Sequence, residues 1–214
     1  MLYDCRSTAD RDRGIAAAIE AVKNGELVVL PTDTVYGIGA DAFTPYAVKA
    51  LLDAKGGPAT APPVLIGSRH TLDGLVYSLP QAARDLVEAF WPGALTIIVA
   101  HSPSLRWDLG DTSGTVAVRM PLHPVALEVL RETGPMAVAS ANLAGQPAAL
   151  TAEEARNQLA YSVRAYLEAG PCPDPVPSTI VDLTGEVPRV LRQGAVALEK
   201  LRDVVPDILT GQGV

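Results

Sequence analysis

The chain has 214 residues, of which 48% are hydrophobic and 19% charged, and its net charge is −7. That length and apolar content support one well-buried core. With 17 basic against 24 acidic residues, the balance argues against a protein that coats RNA or DNA over a broad face, because neutralising phosphates needs a basic excess. A local basic cleft for a phosphorylated small molecule stays compatible with it. Cys5 and Cys172 are the only cysteines; they form no C-x-x-C pair and no disulfide framework, which fits a reducing cytoplasm. His70, His101 and His123 share no ligand spacing, so no zinc site is expected. The N-terminus, MLYDCRSTADRDRG, lacks the apolar core of a signal peptide, and no run approaches a membrane span.

In chain order, residues 12–24 read as an amphipathic helix, with Ile15, Ala18, Ile19 and Val22 at helical spacing and Gly25 as a stop. The run ELVVLP predicts a buried strand at 26–31, and TDTVYGIGADAF reads as a polar loop. Residues 45–54 read as a helix opened by Pro45. KGGPATAPP is an extended loop, and VLIG (64–67) a short strand. A helix is expected over 80–90, then a β-branched strand over 94–100. The polar connection SPSLRWDLGDTSG precedes a strand over 115–121, a helix over 124–132 and a strand over 136–140. Thr151 and Glu154 form a capping-box pattern for a helix over 151–159. RAYLEAG reads as a strand. STIVDLT (178–184) and PRVLRQG (188–194) read as an antiparallel pair. The tail from Leu198 is expected to be helical and to fray after about 205. This pattern predicts a single α/β domain over 1–214, its core over about 12–200, built on a mixed, twisted sheet.

Three polar segments follow three apolar strands: TDTVYG after Leu30, the arginine ending TVAVR, and SAN after Ala139. Ligands collect at the carboxyl ends of strands in open α/β sheets. Singly, each segment has an ordinary alternative: Thr32, Asp33 and Thr34 can close a turn, and Ser140 and Asn142 can satisfy local backbone. Their recurrence at three strand ends favours a site. Gly37-Ile38-Gly39-Ala40-Asp41-Ala42 only outlines a dinucleotide fingerprint, and neither a P-loop nor a G-x-S-x-G elbow occurs.

These segments resemble one family. PTDTVYGIGADA (31–42), Lys55, WPGALT (91–96), GTVAVRMPLHP (114–124), SANLAGQP (140–147), STIVDLTG (178–185) and VLRQG (190–194) are similar, in order and spacing, to motifs of the YrdC/Sua5 family. The resemblance covers roughly 12–200. It implies a YrdC-like twisted open sheet flanked by helices, with a large concave ligand cavity. It implies an enzyme condensing L-threonine, bicarbonate and ATP, with Mg²⁺, into threonylcarbamoyl-AMP and pyrophosphate. A transferase complex then delivers the group to tRNA as N6-threonylcarbamoyladenosine; any direct tRNA contact is weak, and neither DNA nor membrane is involved. Residue by residue, Thr34, Arg119, Ser140 and Ser178 align with the threonine side. Lys55, Thr115, Ser140, Asn142 and Arg192 align with the nucleotide side. Lys55, Arg119 and Arg192 take the catalytic roles, with Thr32 and Tyr36 completing the cavity and Tyr36 packing over the substrate.

The chain departs from the family pattern at the lysine loop. The family reads K-x-R there, and this chain reads Lys55-Gly56-Gly57-Pro58. Arg69 is the nearest replacement in sequence. Ala144 stands for a serine, Leu150 for a threonine unless Thr151 takes its role, and Ile66 or Gly67 for a histidine that some members carry. The threonine side is intact and the ATP side eroded, so a weakened nucleotide- or RNA-binding member of the fold is the alternative reading. A carbamoyl-phosphate-using transferase of the hydrogenase-maturation type would bring a longer chain and zinc-finger cysteines.

Overall fold

The computed structural model describes residues 1–56 and 60–211. Gly57 and Pro58 of the lysine loop lie outside the described residues. Among these residues eleven strands form one sheet. They are β1 (Leu2–Asp4), β2 (Val28–Leu30), β3 (Gly37–Asp41), β4 (Val64–Leu65), β5 (Leu95–Ala100), β6 (Thr115–Arg119), β7 (Met136–Ser140), β8 (Ala165–Glu168), β9 (Thr179–Asp182), β10 (Arg189–Arg192) and β11 (Leu209–Thr210). Their spatial order is β1-β8-β2-β3-β7-β4-β6-β5-β9-β10-β11. Parallel pairs such as β4 with β6 alternate with antiparallel pairs such as β5 with β6, so the sheet is mixed as expected. The helices are α1 (Thr8–Lys23), α2 (Pro45–Lys55), α3 (Arg69–Leu75), α4 (Gln81–Phe90), α5 (Pro124–Thr133), α6 (Ala152–Leu159) and α7 (Leu198–Val204). None of the described helices is long and apolar enough to cross a membrane.

The period-two alternation of strands assigns each side chain to a face. On β2, Val28 and Leu30 join the apolar cluster beneath α1 and α5, while Val29 joins the one beneath α2 and α6. On β5, Leu95, Ile97 and Val99 enter the cluster that includes α4 and α7, which turns Thr96 to the other face. On β6, Val116 and Val118 do the same and turn Arg119. Helices α1 and α5 cover that second face over β8 and β2 and reach Met136 and Val138 of β7 and Leu65 of β4, while Thr96 of β5 and Arg119 of β6 line a cavity there.

Three expectations need correction. GIGAD is a strand, not a loop: β3 pairs with β7 over its whole length and with β2 through Gly37, Ile38 and Gly39. Its glycines permit this, because a Cβ at Gly37 would lie 2.6 Å from Val138 Cγ1 and one at Gly39 2.8 Å from Met136 Cε. Among the described residues, the tail after 205 stays packed and paired. Val205 and Ile208 are buried, and β11 pairs in parallel with β10. The capping box is shifted by one residue: Thr151 Oγ1 accepts from Glu154 N, but the Glu154 carboxylate accepts from Leu150 N.

Gly67 follows β4 and lies against α5. A Cβ there would sit 2.7 Å from Arg131 N and 2.8 Å from Leu130 C, both backbone atoms that cannot swing aside. Gly67→Ala is therefore expected to destabilise the protein by about 1–3 kcal/mol. A lowered urea midpoint with an unchanged slope would show it.

Candidate functional site

The open part of the sheet forms one wall of a cavity of about 430 Å³. Its lining brings together Thr32, Thr34 and Tyr36 from the β2–β3 connection, Lys55 from the end of α2, and Thr96 from β5. Arg119 from β6, Ser140 from β7, Ser178 before β9 and Arg192 from β10 complete it. Segments far apart in sequence thus meet, because each strand-end loop projects over the sheet at the same edge. A larger concavity of about 740 Å³, around Arg156 and Arg164, contains none of the motif residues.

Arg119 is buried, at 6% exposure, and three hydrogen bonds fix its guanidinium. Nε donates to Gly93 O (2.9 Å), Nη1 to Thr34 Oγ1 (2.9 Å) and Nη2 to Asp33 Oδ1 (2.5 Å). Five N–H groups belong to this side chain, so two remain to receive a ligand. Burial lowers the Arg119 pKa, and the Asp33 carboxylate opposes that shift. A guanidinium nonetheless keeps its charge at working pH. Asp33 also accepts from Leu122 N (2.9 Å), so it anchors the strand that carries Arg119. Sequence reasoning took Asp33 for a turn former, because its partner is 86 residues away. Asp33→Asn preserves the shape and removes the charge that orients Arg119. It is expected to raise the KM for an amino-acid substrate about tenfold, with ATP binding unchanged by calorimetry.

A second chain of bonds crosses the cavity wall. Thr96 Oγ1 and Ser178 Oγ are 2.8 Å apart, and Arg192 reaches Ser178 through Nη2 to Oγ (3.1 Å) and through Nε and Nη2 to the carbonyl (3.0 and 2.9 Å). Thr96 is a site residue that sequence reasoning passed over, although its alternation against Leu95 and Ile97 points it to this face. Lys55 Nζ donates to Ser140 O (2.6 Å) and Asn142 O (2.9 Å), and Ala144 N donates back to Lys55 O (2.8 Å). The lysine loop and the SAN loop are thereby tied together. Burial lowers the pKa of both Lys55 and Arg192. Asn142 sits behind the lining, its amide donating to Leu143 O and Gln146 O (2.9 Å each). Its side-chain carbonyl is buried with no partner among the described residues.

One expected site residue is placed elsewhere. Thr115 stands at the opposite end of β6 from Arg119, outside the lining, and its hydroxyl donates to Thr112 O (2.8 Å). Tyr36 borders the cavity as expected. It is buried in the core beneath α2 and α6, where Val29 and Ile38 flank it, and its hydroxyl reaches Glu168 and Gly170. Arg69 does not replace the missing loop arginine: its guanidinium donates to Trp91 O and Glu88 O at the end of α4.

Three cationic side chains and a set of hydroxyls thus face one cavity on an open mixed α/β sheet, with the Asp33 carboxylate paired to Arg119. The class so defined is an α/β protein whose cationic, hydroxyl-lined cavity suits carboxylate- and phosphate-bearing small molecules. The family model for Sua5, YciO and YrdC, described as telomere recombination, matches residues 20–194. The chain belongs to this family. It is 59% identical over 204 residues to a protein of Mycobacterium tuberculosis H37Rv, covering 95% of this chain and 94% of that one, whose name assigns it provisionally as a threonylcarbamoyl-AMP synthase. It is 37% identical to the threonylcarbamoyl-AMP synthase of Bacillus subtilis, covering 95% of this chain and 60% of that one. The fold superposes on the crystal structure of P. abyssi Sua5 complexed with L-threonine at a TM-score of 0.88 and 33% identity, covering 99% of this chain and 62% of that one.

Proposed function

We propose that the protein is a threonylcarbamoyl-AMP synthase, converting L-threonine, bicarbonate and ATP into threonylcarbamoyl-AMP, pyrophosphate and water. The observation that carries this reading is the convergence of Arg119, Lys55 and Arg192 with Thr34 and Ser178 in one cavity. Arg119 holds the threonine carboxylate through its two remaining N–H groups, a charge-assisted interaction suited to a guanidinium. Thr34 and Ser178 supply hydroxyls beside it. Lys55 and Arg192 face the triphosphate.

The threonine amine attacks the carbon of bicarbonate, water leaves, and a carbamate forms. A carbamate oxygen then attacks the α-phosphorus of ATP in line, the bond to the bridging oxygen breaks, and pyrophosphate departs with its electron pair. The protein contributes positioning and cationic charge rather than a proton shuttle. Magnesium arrives with the nucleotide as part of the substrate; among the described residues no cluster of three His, Cys, Asp or Glu side chains offers a resident metal site. Transfer of the threonylcarbamoyl group to tRNA by a separate complex completes this reading. Mass-spectrometric detection of threonylcarbamoyl-AMP, dependent on all three substrates, tests it. The placement of Arg69 away from the cavity favours a rival, a nucleotide-binding member without turnover. That rival predicts ATP binding without product.

A further inference from the structure

On the core side of the PTDTVYG segment lies a buried carboxylate that the proposed chemistry does not use. Glu168, the last residue of β8, is 8% exposed and forms no salt bridge among the described residues. Its Oε1 faces the Tyr36 hydroxyl (3.0 Å) and accepts from Gly170 N (2.6 Å), and its Oε2 accepts from Ala152 N (2.9 Å) at the start of α6. The Tyr36 hydroxyl also accepts from Ala169 N (2.9 Å) and lies 2.7 Å from Gly170 O. Its single proton is therefore shared between the carboxylate and that carbonyl. Three donors, one of them at a helix N-terminus, take the place of a cation.

Each of these bonds ends on a segment that walls the ligand cavity. Tyr36 belongs to the stretch that presents Thr32 and Thr34, which are 3.1 Å apart at their hydroxyls. Gly170 opens the connection that reaches Pro175, Pro177 and Ser178. Ala152 follows the stretch in which Ala148 lines the cavity and Ala149 O accepts from Tyr36 N (3.2 Å). The carboxylate is thus the common anchor of three wall segments. An apolar side chain would fill the same space without joining them.

Resting on the synthase reading, we propose that Glu168 is a positioning residue for the amino-acid substrate, acting through Tyr36 to hold the Thr32 and Thr34 hydroxyls in register with Arg119. The test uses Glu168→Gln, which sets an amide NH₂ against backbone donors at nearly constant volume, and Tyr36→Phe, which removes only the hydroxyl. Each is expected to raise the threonine KM about tenfold, with kcat and the ATP KM within about twofold of wild type. The double variant is expected to be no worse than Glu168→Gln alone, because both act through one path. A purely structural role would lower the melting temperature and the active fraction while leaving the threonine KM unchanged. That result, or an equal rise for ATP, overturns the proposal. Hydrogen exchange of residues 32–37 gives a readout that needs no turnover. Faster exchange there in Glu168→Gln supports the proposal even if the wild type releases no threonine-dependent pyrophosphate, which would sink the synthase reading alone. Unchanged exchange overturns the proposal.

Discussion

Arg119→Ala is expected to abolish threonine-dependent turnover while leaving the ATP dissociation constant within about threefold of wild type. The guanidinium is buried and held from three sides, so its remaining donors are pre-aimed and a ligand carboxylate binds without reordering it. Removing one partner of a desolvated, hydrogen-bonded charge pair costs about 2–5 kcal/mol, which is roughly 30- to 5,000-fold in kcat/KM for threonine. Part of the damage would fall on stability, since the substitution strands Asp33 in a largely buried position. Adding Asp33→Asn to Arg119→Ala separates the two effects. Stability should partly recover, and threonine use should not. Arg119→Lys keeps the charge but loses the fork, so it should recover little. Calorimetry with each ligand, run below the melting temperature of every variant, is the check. Equal loss of both ligands would contradict the division of the cavity into an amino-acid side and a nucleotide side.

Lys55→Ala is expected to lower kcat by about 10²–10³, the usual value of one preorganised donor at a reacting phosphoryl group. The dependence should be at the upper end here, because Lys55 is the only charged residue of KGGPATAPP. Its ammonium already rests on the carbonyls of Ser140 and Asn142, which fixes its direction before nucleotide arrives. Burial lowers its pKa from the ordinary value of 10.5. The ammonium is the active form, so kcat/KM for ATP should fall as pH rises through that lowered pKa, giving an alkaline limb below the usual lysine range. Lys55→Arg carries a group that does not titrate there and should flatten the limb. A pH profile identical in wild type and Lys55→Arg would mean that another group sets it.

Much of this architecture was legible in the sequence because its signals are local. The apolar runs of β2, β5, β6 and β7 and the helical spacing of α1 and α5 each lie within a dozen residues. The site residues at strand ends, Thr34, Arg119 and Ser140, followed from the same reading, since an apolar strand ending in a polar residue has few places to put it. What escaped depends on partners distant in the chain. β3 carries two glycines and reads as a loop until Val138 and Met136 fill the space above them. β1 and β11 are edge strands of three and two residues, each defined only by a parallel neighbour. α3 spans seven residues, too few for a periodic pattern. Asp33 and Thr96 take their roles from Arg119 on β6 and from Ser178 just before β9. Tyr36 lines the cavity as its segment implies, but the partner of its hydroxyl, Glu168, lies 132 residues away and is not legible locally.

The measurement that tests the central claim most directly is pyrophosphate release from MgATP and bicarbonate, with and without L-threonine. The synthase reading predicts release that rises with threonine, saturates, and disappears in Arg119→Ala. Threonine-independent release, or none while calorimetry still registers ATP binding, would contradict it and leave a nucleotide-binding protein on the same fold.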